Sequence, residues 1–151
     1  MNPQPISFPY EHRASTLLGA IRRPVARVEL YSAVFQRWLA YTMVVDTGAD
    51  HCVLPASVAL DLGMPLRQCE PQLASGIGGQ QRIFVSRQIR LRVGPWMLLV
   101  PVGFVTREDV PPLLGRHQCL DRFDLRLNRF VTTFALARST KGSGAFRPNS
   151  A

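Results

Sequence analysis

The 151-residue chain is short of cysteine, of acidic residues and of long apolar runs, and each shortage narrows what it can be. Cys52, Cys69 and Cys119 make an odd count with no Cys-x-x-Cys pair, which argues against a disulfide framework and suits a reducing compartment, the cytoplasm. His51 beside Cys52, and His117 two before Cys119, do not supply the four closely spaced ligands of a closed zinc site. No metal and no organic cofactor is expected. The most apolar region, Trp96 to Val105, is broken by Pro101 and Gly103 and has about half the length of a spanning helix, so it reads as a strand pair. The N-terminus has no basic segment followed by an apolar stretch of signal-peptide length. Neither a membrane span nor secretion is expected.

Asp and Glu number 10 against 18 Lys and Arg, a net charge of +8 that attracts polyanions loosely without specifying one. A basic run interleaved with aromatics is missing, so no specific nucleic-acid partner is expected. What the chain does have is a 46% hydrophobic composition with 12 prolines and 11 glycines, the mark of one folded domain of short elements and many turns. The expected class is all-β. Residues 1 to about 12 hold three prolines, and 139–151 are small, polar and glycine-rich, so both ends read as mobile tails. The expected division is an N-terminal extension over 1–24, a domain over 25–137 and a flexible tail over 138–151.

Within the domain, Ala26 to Val45 reads as a hairpin turning near Phe35 to Trp38, with Val28 and Leu30 on one face and Arg27, Glu29 and Tyr31 on the other. Its second strand runs through Tyr41, Met43 and Val45 into Asp46-Thr47-Gly48, and Cys52-Val53-Leu54 resumes an apolar strand. Ser57 to Gly63 predicts a short helix with glycine near its C-cap. Ser75-Gly76-Ile77-Gly78-Gly79 predicts a hairpin tip, and Ile89, Leu91 and Val93 the inward face of a strand from Ser86 to Val93. Leu113-Leu114-Gly115-Arg116 follows a Pro111-Pro112 break, and a short helix is expected over 118–123, with a closing strand over 130–136.

Asp46 is where the chemistry concentrates. A carboxylate where an apolar strand ends in a tight turn is presented from a rigid element into a partly desolvated place. Hydrolysis by carboxylates takes two of them, one ionised to accept a proton from water and one protonated to polarise a carbonyl. Asp61, Asp109, Asp121 and Asp124 lack both a preceding apolar strand and a following Thr/Ser-Gly. A second Asp46 from another chain, across a two-fold axis, is the economical partner.

Val44 to Leu54 resembles the active-site strand and turn of retropepsins, the single-lobe aspartic proteases of retroviruses and their cellular relatives. Gly76-Ile77-Gly78-Gly79 resembles their flap tip, and Leu113-Leu114-Gly115-Arg116 their apolar-apolar-Gly-Arg segment. The three come in the family's order over roughly residues 25–136. The resemblance implies a closed β-barrel lobe with one short C-terminal helix, active as a two-fold homodimer on peptide or protein substrates. It makes Asp46 the dyad member, has Thr47 brace the dyad across the axis, and has Gly48 offer backbone groups to substrate. Ala49 and Asp50 would contact substrate, Arg116 would pair with Asp50, and Gly76, Ile77, Gly78 and Gly79 would close over the peptide. Val53, Leu54 and Ile77 would line apolar subsites, with core packing the alternative role for Val53 and the preferred one for Leu54. His51 departs from the small polar or acidic residue common in viral members, and Thr106 to Pro112 does not map onto their pattern. Two other readings stay open, a catalytically silent dimeric module that keeps the fold to bind peptides, and a basic nucleic-acid binder.

Overall fold

The structure, a computed structural model, describes residues 3–138. The expected C-terminal tail therefore lies outside the described residues, apart from Arg138. Apolar alternation builds the first long hairpin, in which Val28 and Leu30 are fully buried and Arg27 is exposed. Counting from the N-terminus, strands β1 (Ile6–Pro9), β2 (Glu11–Ser15) and β3 (Gly19–Arg23) precede that hairpin, which is β4 (Val25–Ser32) and β5 (Arg37–Val45). Its turn lies about two residues before the expected place, because Arg37 and Trp38 already pair with Ser32 and Tyr31.

After β6 (Cys52–Pro55) comes the single α-helix of the described residues, α1 (Ala56–Leu62). Val58, Ala59 and Leu62 face the core, and Gly63, at φ 73, ends the helix in the left-handed conformation glycine adopts at least cost. At its other end the Glu108 carboxylate accepts from the Ser57 N–H and hydroxyl, satisfying one of the free donors of the first turn. The hairpin β7 (Glu70–Gly76) and β8 (Gly79–Val93) turns at Ile77-Gly78, and Gly79 takes a φ of +97 there.

Two expectations are corrected in the second half. Trp96 to Val105 is not a strand pair but one ten-residue strand, β9. Pro101 is tolerated inside it because the β8 register skips from Ser86↔Val102 to Ile89↔Val100 at a bulge, and pairing with β6 begins only at Val102. The expected C-terminal helix is also absent. After β10 (Leu113–Leu114) only a 3-10 turn forms, Leu120–Arg122. Strand β11 (Phe123–Asn128) follows and turns at Arg129 and Phe130, both at positive φ, into β12 (Val131–Leu136). The alternation of Phe123 and Leu125 with Asp124 and Arg126 suits a strand, and it overrides the short helical spacing of Leu120 and Phe123.

The N-terminal residues need correction as well. Residues 6–9 are not a tail but a strand, β1, paired antiparallel with β12 from Ile6↔Phe134 to Pro9↔Val131. Its alternating Ile6 and Phe8 pack against the core, which offsets the cost of ordering a chain end. The result is a three-stranded sheet, β1-β12-β11, beside a seven-stranded one ordered β4-β5-β10-β6-β9-β8-β7, in which β4 also meets β8 at Glu29↔Arg92 and Leu30↔Leu91.

An aromatic chain joins the two sheets. Phe134 is fully buried and meets Phe8 and Phe123 edge-to-face at 5.8 and 5.3 Å, and Phe123 meets Trp96 at 5.4 Å. Phe134→Ala is expected to cost about 3–5 kcal/mol, read as a lowered denaturant midpoint with an unchanged slope. A loss under about 1 kcal/mol would show that the terminal sheet is not fastened through this ring.

Candidate active site

Strand β10 runs between β5 and β6, parallel to the first (Leu113↔Val44, Leu114↔Val45) and antiparallel to the second (Leu113↔Val53). The loop 46–51 that joins β5 to β6 must therefore pass over the segment leaving β10. Backbone hydrogen bonds stitch the two together. The Asp46 N–H donates to the Leu114 carbonyl at 3.0 Å, the Arg116 N–H to Ala49 at 2.9 Å, and the His117 N–H to Asp50 at 2.7 Å. Gly115 lies so close under the His51 backbone that a Cβ there would collide with it, which explains the glycine of the Leu-Leu-Gly-Arg segment.

Asp46 leaves the end of β5 half-buried. The Gly48 N–H donates to its Oδ1 at 3.0 Å, so the carboxylate's direction is fixed by the backbone of its own turn. Thr47 and Gly48 are exposed, Ala49 is half-buried, and Asp50 is exposed and receives the Arg116 Nη2 at 3.0 Å. So exposed an ion pair adds little stability, and its contribution is to orientation.

Beneath this loop sits a group that sequence reasoning overlooked. Cys52 and Cys119 are free, buried and close enough to perturb one another, and the Gly115 N–H donates to the Cys52 Sγ at 3.4 Å. The Cys119 thiol beside it, and then the Gly115 N–H, hold the Cys52 thiol below its ordinary range. Cys119, beside Cys52 in a buried place, is pushed up. Their spacing of 67 positions carried no signal, since only the passage of β10 between β5 and β6 brings them together.

The glycine-rich hairpin faces this loop across two clefts. One, of about 530 Å³, is bounded by His51, Val53, Ile83 and Leu113 below and by Gly76, Gly78 and Gly79 above. The other, of about 500 Å³, shares His51, Val53 and Ile83 and reaches Gly48, Ala49 and Asp50. Of the expected subsite residues, Val53 lines both clefts, Leu54 is fully buried in the core, and Ile77 projects into solvent at the hairpin tip. Asp46 lines neither cleft, although Gly48, bonded to its carboxylate, lines the second. His51 Nδ1 donates to the Cys52 carbonyl at 2.9 Å, which fixes its ring over the shared wall. Arg107 and Val110 also border the first cleft, and nothing in the unmapped stretch 106–112 pointed to them. Among the described residues no group of three or more His, Cys, Asp or Glu is placed to hold a metal ion.

A β lobe whose Asp-Thr-Gly loop is laced over a Leu-Leu-Gly-Arg segment and faces a glycine-rich hairpin is the architecture of a single-lobe acid protease. The family model described as aspartyl protease matches residues 36–117, more than half of the chain, and the chain belongs to that family. Its fold is similar to the crystal structure of a retropepsin-like aspartic protease from Rickettsia conorii, with a TM-score of 0.60 and 16% identity, covering 87% of this chain and 98% of that one. No curated protein matches it in sequence. Family and fold together bear out the retropepsin-like resemblance.

The closeness of Gly115 to His51 predicts a contrast between two glycines. Gly115→Ala is expected to destabilise by about 1–3 kcal/mol through the enforced shift of the 46–51 loop. Gly78→Ala, with open space around it and no positive φ, is expected to stay within about 0.5 kcal/mol of the parent. Chemical denaturation of both variants checks this, and equal losses would sink the threading argument.

Proposed function

We propose that two copies of this chain form an aspartic endopeptidase, hydrolysing peptide bonds with water activated between their two Asp46 carboxylates. The observation that carries this reading is the Asp46 carboxylate itself, held by the Gly48 N–H at the end of β5 beside clefts roofed by a glycine-rich hairpin. The chain has one Asp-Thr-Gly, so a dyad takes a second copy. Residues 25–137 are the protease unit in this reading, with β1 of the 1–24 extension contributing to its terminal sheet and the β4–β8 bridge closing the lobe as a barrel. Three free thiols fit a reducing compartment such as the cytoplasm, and no helix among the described residues is long and apolar enough to cross a membrane.

Two carboxylates pressed together hold one proton between them, because like charges at that distance raise one proton affinity strongly. This is the established behaviour of aspartic-protease dyads, applied here to Asp46. The ionised member takes a proton from the bound water as the oxygen attacks the carbonyl carbon, and the protonated member gives its proton to the carbonyl oxygen. The tetrahedral diol then collapses as a proton passes to the leaving amine. No covalent intermediate forms. Thr47 braces the pair across the axis, while Gly48, Ala49 and Asp50 hold the substrate backbone, with Arg116 keeping Asp50 in place. The hairpin tip Gly76, Ile77, Gly78 and Gly79 closes over the peptide and excludes water. Val53 and Ile83 in the cleft walls favour apolar side chains near the cut.

Asp46→Asn is expected to lower kcat by at least about 100-fold while sedimentation still shows a folded dimer. Activity within a few-fold of the parent would remove Asp46 from the chemistry. A statine-type mimic of the tetrahedral diol is expected to inhibit competitively, and indifference to it at saturating dose would exclude the dyad mechanism.

A further inference from the structure

Strands β2 and β3 form a two-stranded sheet with no third strand, paired from Glu11↔Arg23 to Ser15↔Gly19. Their faces are open to solvent, with His12, Arg13, Ala14, Ala20 and Arg22 all exposed. At the tip Leu17 and Leu18 are 88% and 69% exposed. A lone hairpin is marginal in water, and adjacent bare leucines at its end add to the apolar surface left uncovered. The hairpin also lies outside residues 36–117, the stretch matched by the aspartyl protease family model.

The root of this hairpin, by contrast, is held firmly and beside the catalytic strand. The Pro24 carbonyl accepts from the N–H of Val45, the residue before Asp46, at 2.9 Å. On the other strand the Tyr10 N–H donates to the Phe130 carbonyl at 2.9 Å, and the Tyr10 and Phe130 rings meet at 5.8 Å. The Arg22 guanidinium lies 4.2 Å over the same Phe130 ring. Five paired rungs give a reach on the order of 17 Å beyond that root, comparable to the radius of gyration of about 14 Å for a domain of this size.

We infer that the β2–β3 hairpin is an arm with which each copy grips a second copy of this chain, its Leu17–Leu18 tip and the Ala14–Ala20 pair lying on the partner lobe. The inference rests on the homodimeric reading above. In that reading the partner's Asp46 comes within hydrogen-bonding reach of this one, so an arm rooted one residue from Asp46 starts beside the partner, and a reach comparable to the radius of gyration is enough to lie on it. The contact is apolar because charge opposes it. The arm carries Arg13, Arg22 and Arg23 against Glu11 alone, and the whole chain is at +8, so two copies repel unless leucine and alanine burial outweighs the repulsion. Alanines opposite one another leave a flat patch on which a second backbone can lie close.

The test is sedimentation velocity of the full chain over a concentration series, parent against a Leu17→Ser, Leu18→Ser double variant, with Asp46→Asn as a control that keeps the arm. The double variant is expected to raise the dimer dissociation constant roughly tenfold or more and to make specific activity fall at correspondingly higher concentration, while Asp46→Asn dimerises like the parent. Hydrogen exchange on the parent gives a reading independent of any substitution, with the amides of 11–23 expected to lose protection on dilution below the dissociation constant. A dissociation constant unchanged within twofold, or arm protection that ignores concentration, would overturn the arm and leave the dimeric protease standing. A parent that stays monomeric throughout and still cleaves peptides would overturn both.

Discussion

Close backbone packing between the 46–51 loop and the residues that leave β10 is the constraint from which the rest follows. Three main-chain hydrogen bonds and one missing side chain make it possible. Each such bond contributes on the order of 1 kcal/mol net, so their importance lies in geometry more than in stability. They fix where the turn carrying Asp46 sits relative to β6 and thus to the cleft wall formed by His51 and Val53. Loosening them would leave a carboxylate on a surface loop, able to face any direction. The buried Cys52 and Cys119 lie under the same crossing, where the Gly115 N–H donates to the Cys52 Sγ.

The same crossing leaves the site incomplete by itself. A lone half-buried carboxylate next to a cleft can bind and orient, but water activation with simultaneous carbonyl polarisation takes a second acid. In the dimer proposed above, two-fold symmetry provides one without any further residue in the chain. The Tyr10–Phe130 contact and the terminal sheet strand β1 lie in chain segments outside the family-matched core, as does the β2–β3 hairpin rooted at Pro24.

The hairpin above the clefts keeps little packing at its tip. From Ser75 to Gln80 every residue is exposed, and three of these six positions hold no side chain beyond hydrogen. Few buried contacts mean low local stability, which suits the closing role proposed for this tip. Further along β8 the balance is reversed. Arg92 lies 4.4 Å over Trp38 and pairs with Glu29, and Arg90 lies 3.8 Å over Tyr31. The bonded guanidinium beside it holds the Glu29 carboxyl below its usual range. These arginines are distant from the aromatics in sequence and meet them only because β8 pairs with β4, and they spend part of the chain's positive charge within the fold.

Local patterns determined a good deal. Alternation of Val28 and Leu30, and of Ile89, Leu91 and Val93, announced strands because burial on one face of a pleat repeats every two residues. The glycines from 76 to 79 announced a tip, and Asp46-Thr47-Gly48 after an apolar strand announced a candidate site, because backbone freedom and an isolated acid are written in residue type. Tertiary structure alone decided the rest. Pro101 inside a strand, Phe123 opening a strand rather than ending a helix, and Ile6 and Phe8 joining a sheet all depend on a partner far along the chain, which offers a bulge, a pairing edge or a core to fill. So does the reason for Gly115. The amino-acid order named the candidate residues near Asp46, whereas only the passage of β10 between β5 and β6 showed why Gly115 must be glycine, because steric exclusion acts between backbones that sequence separation keeps apart.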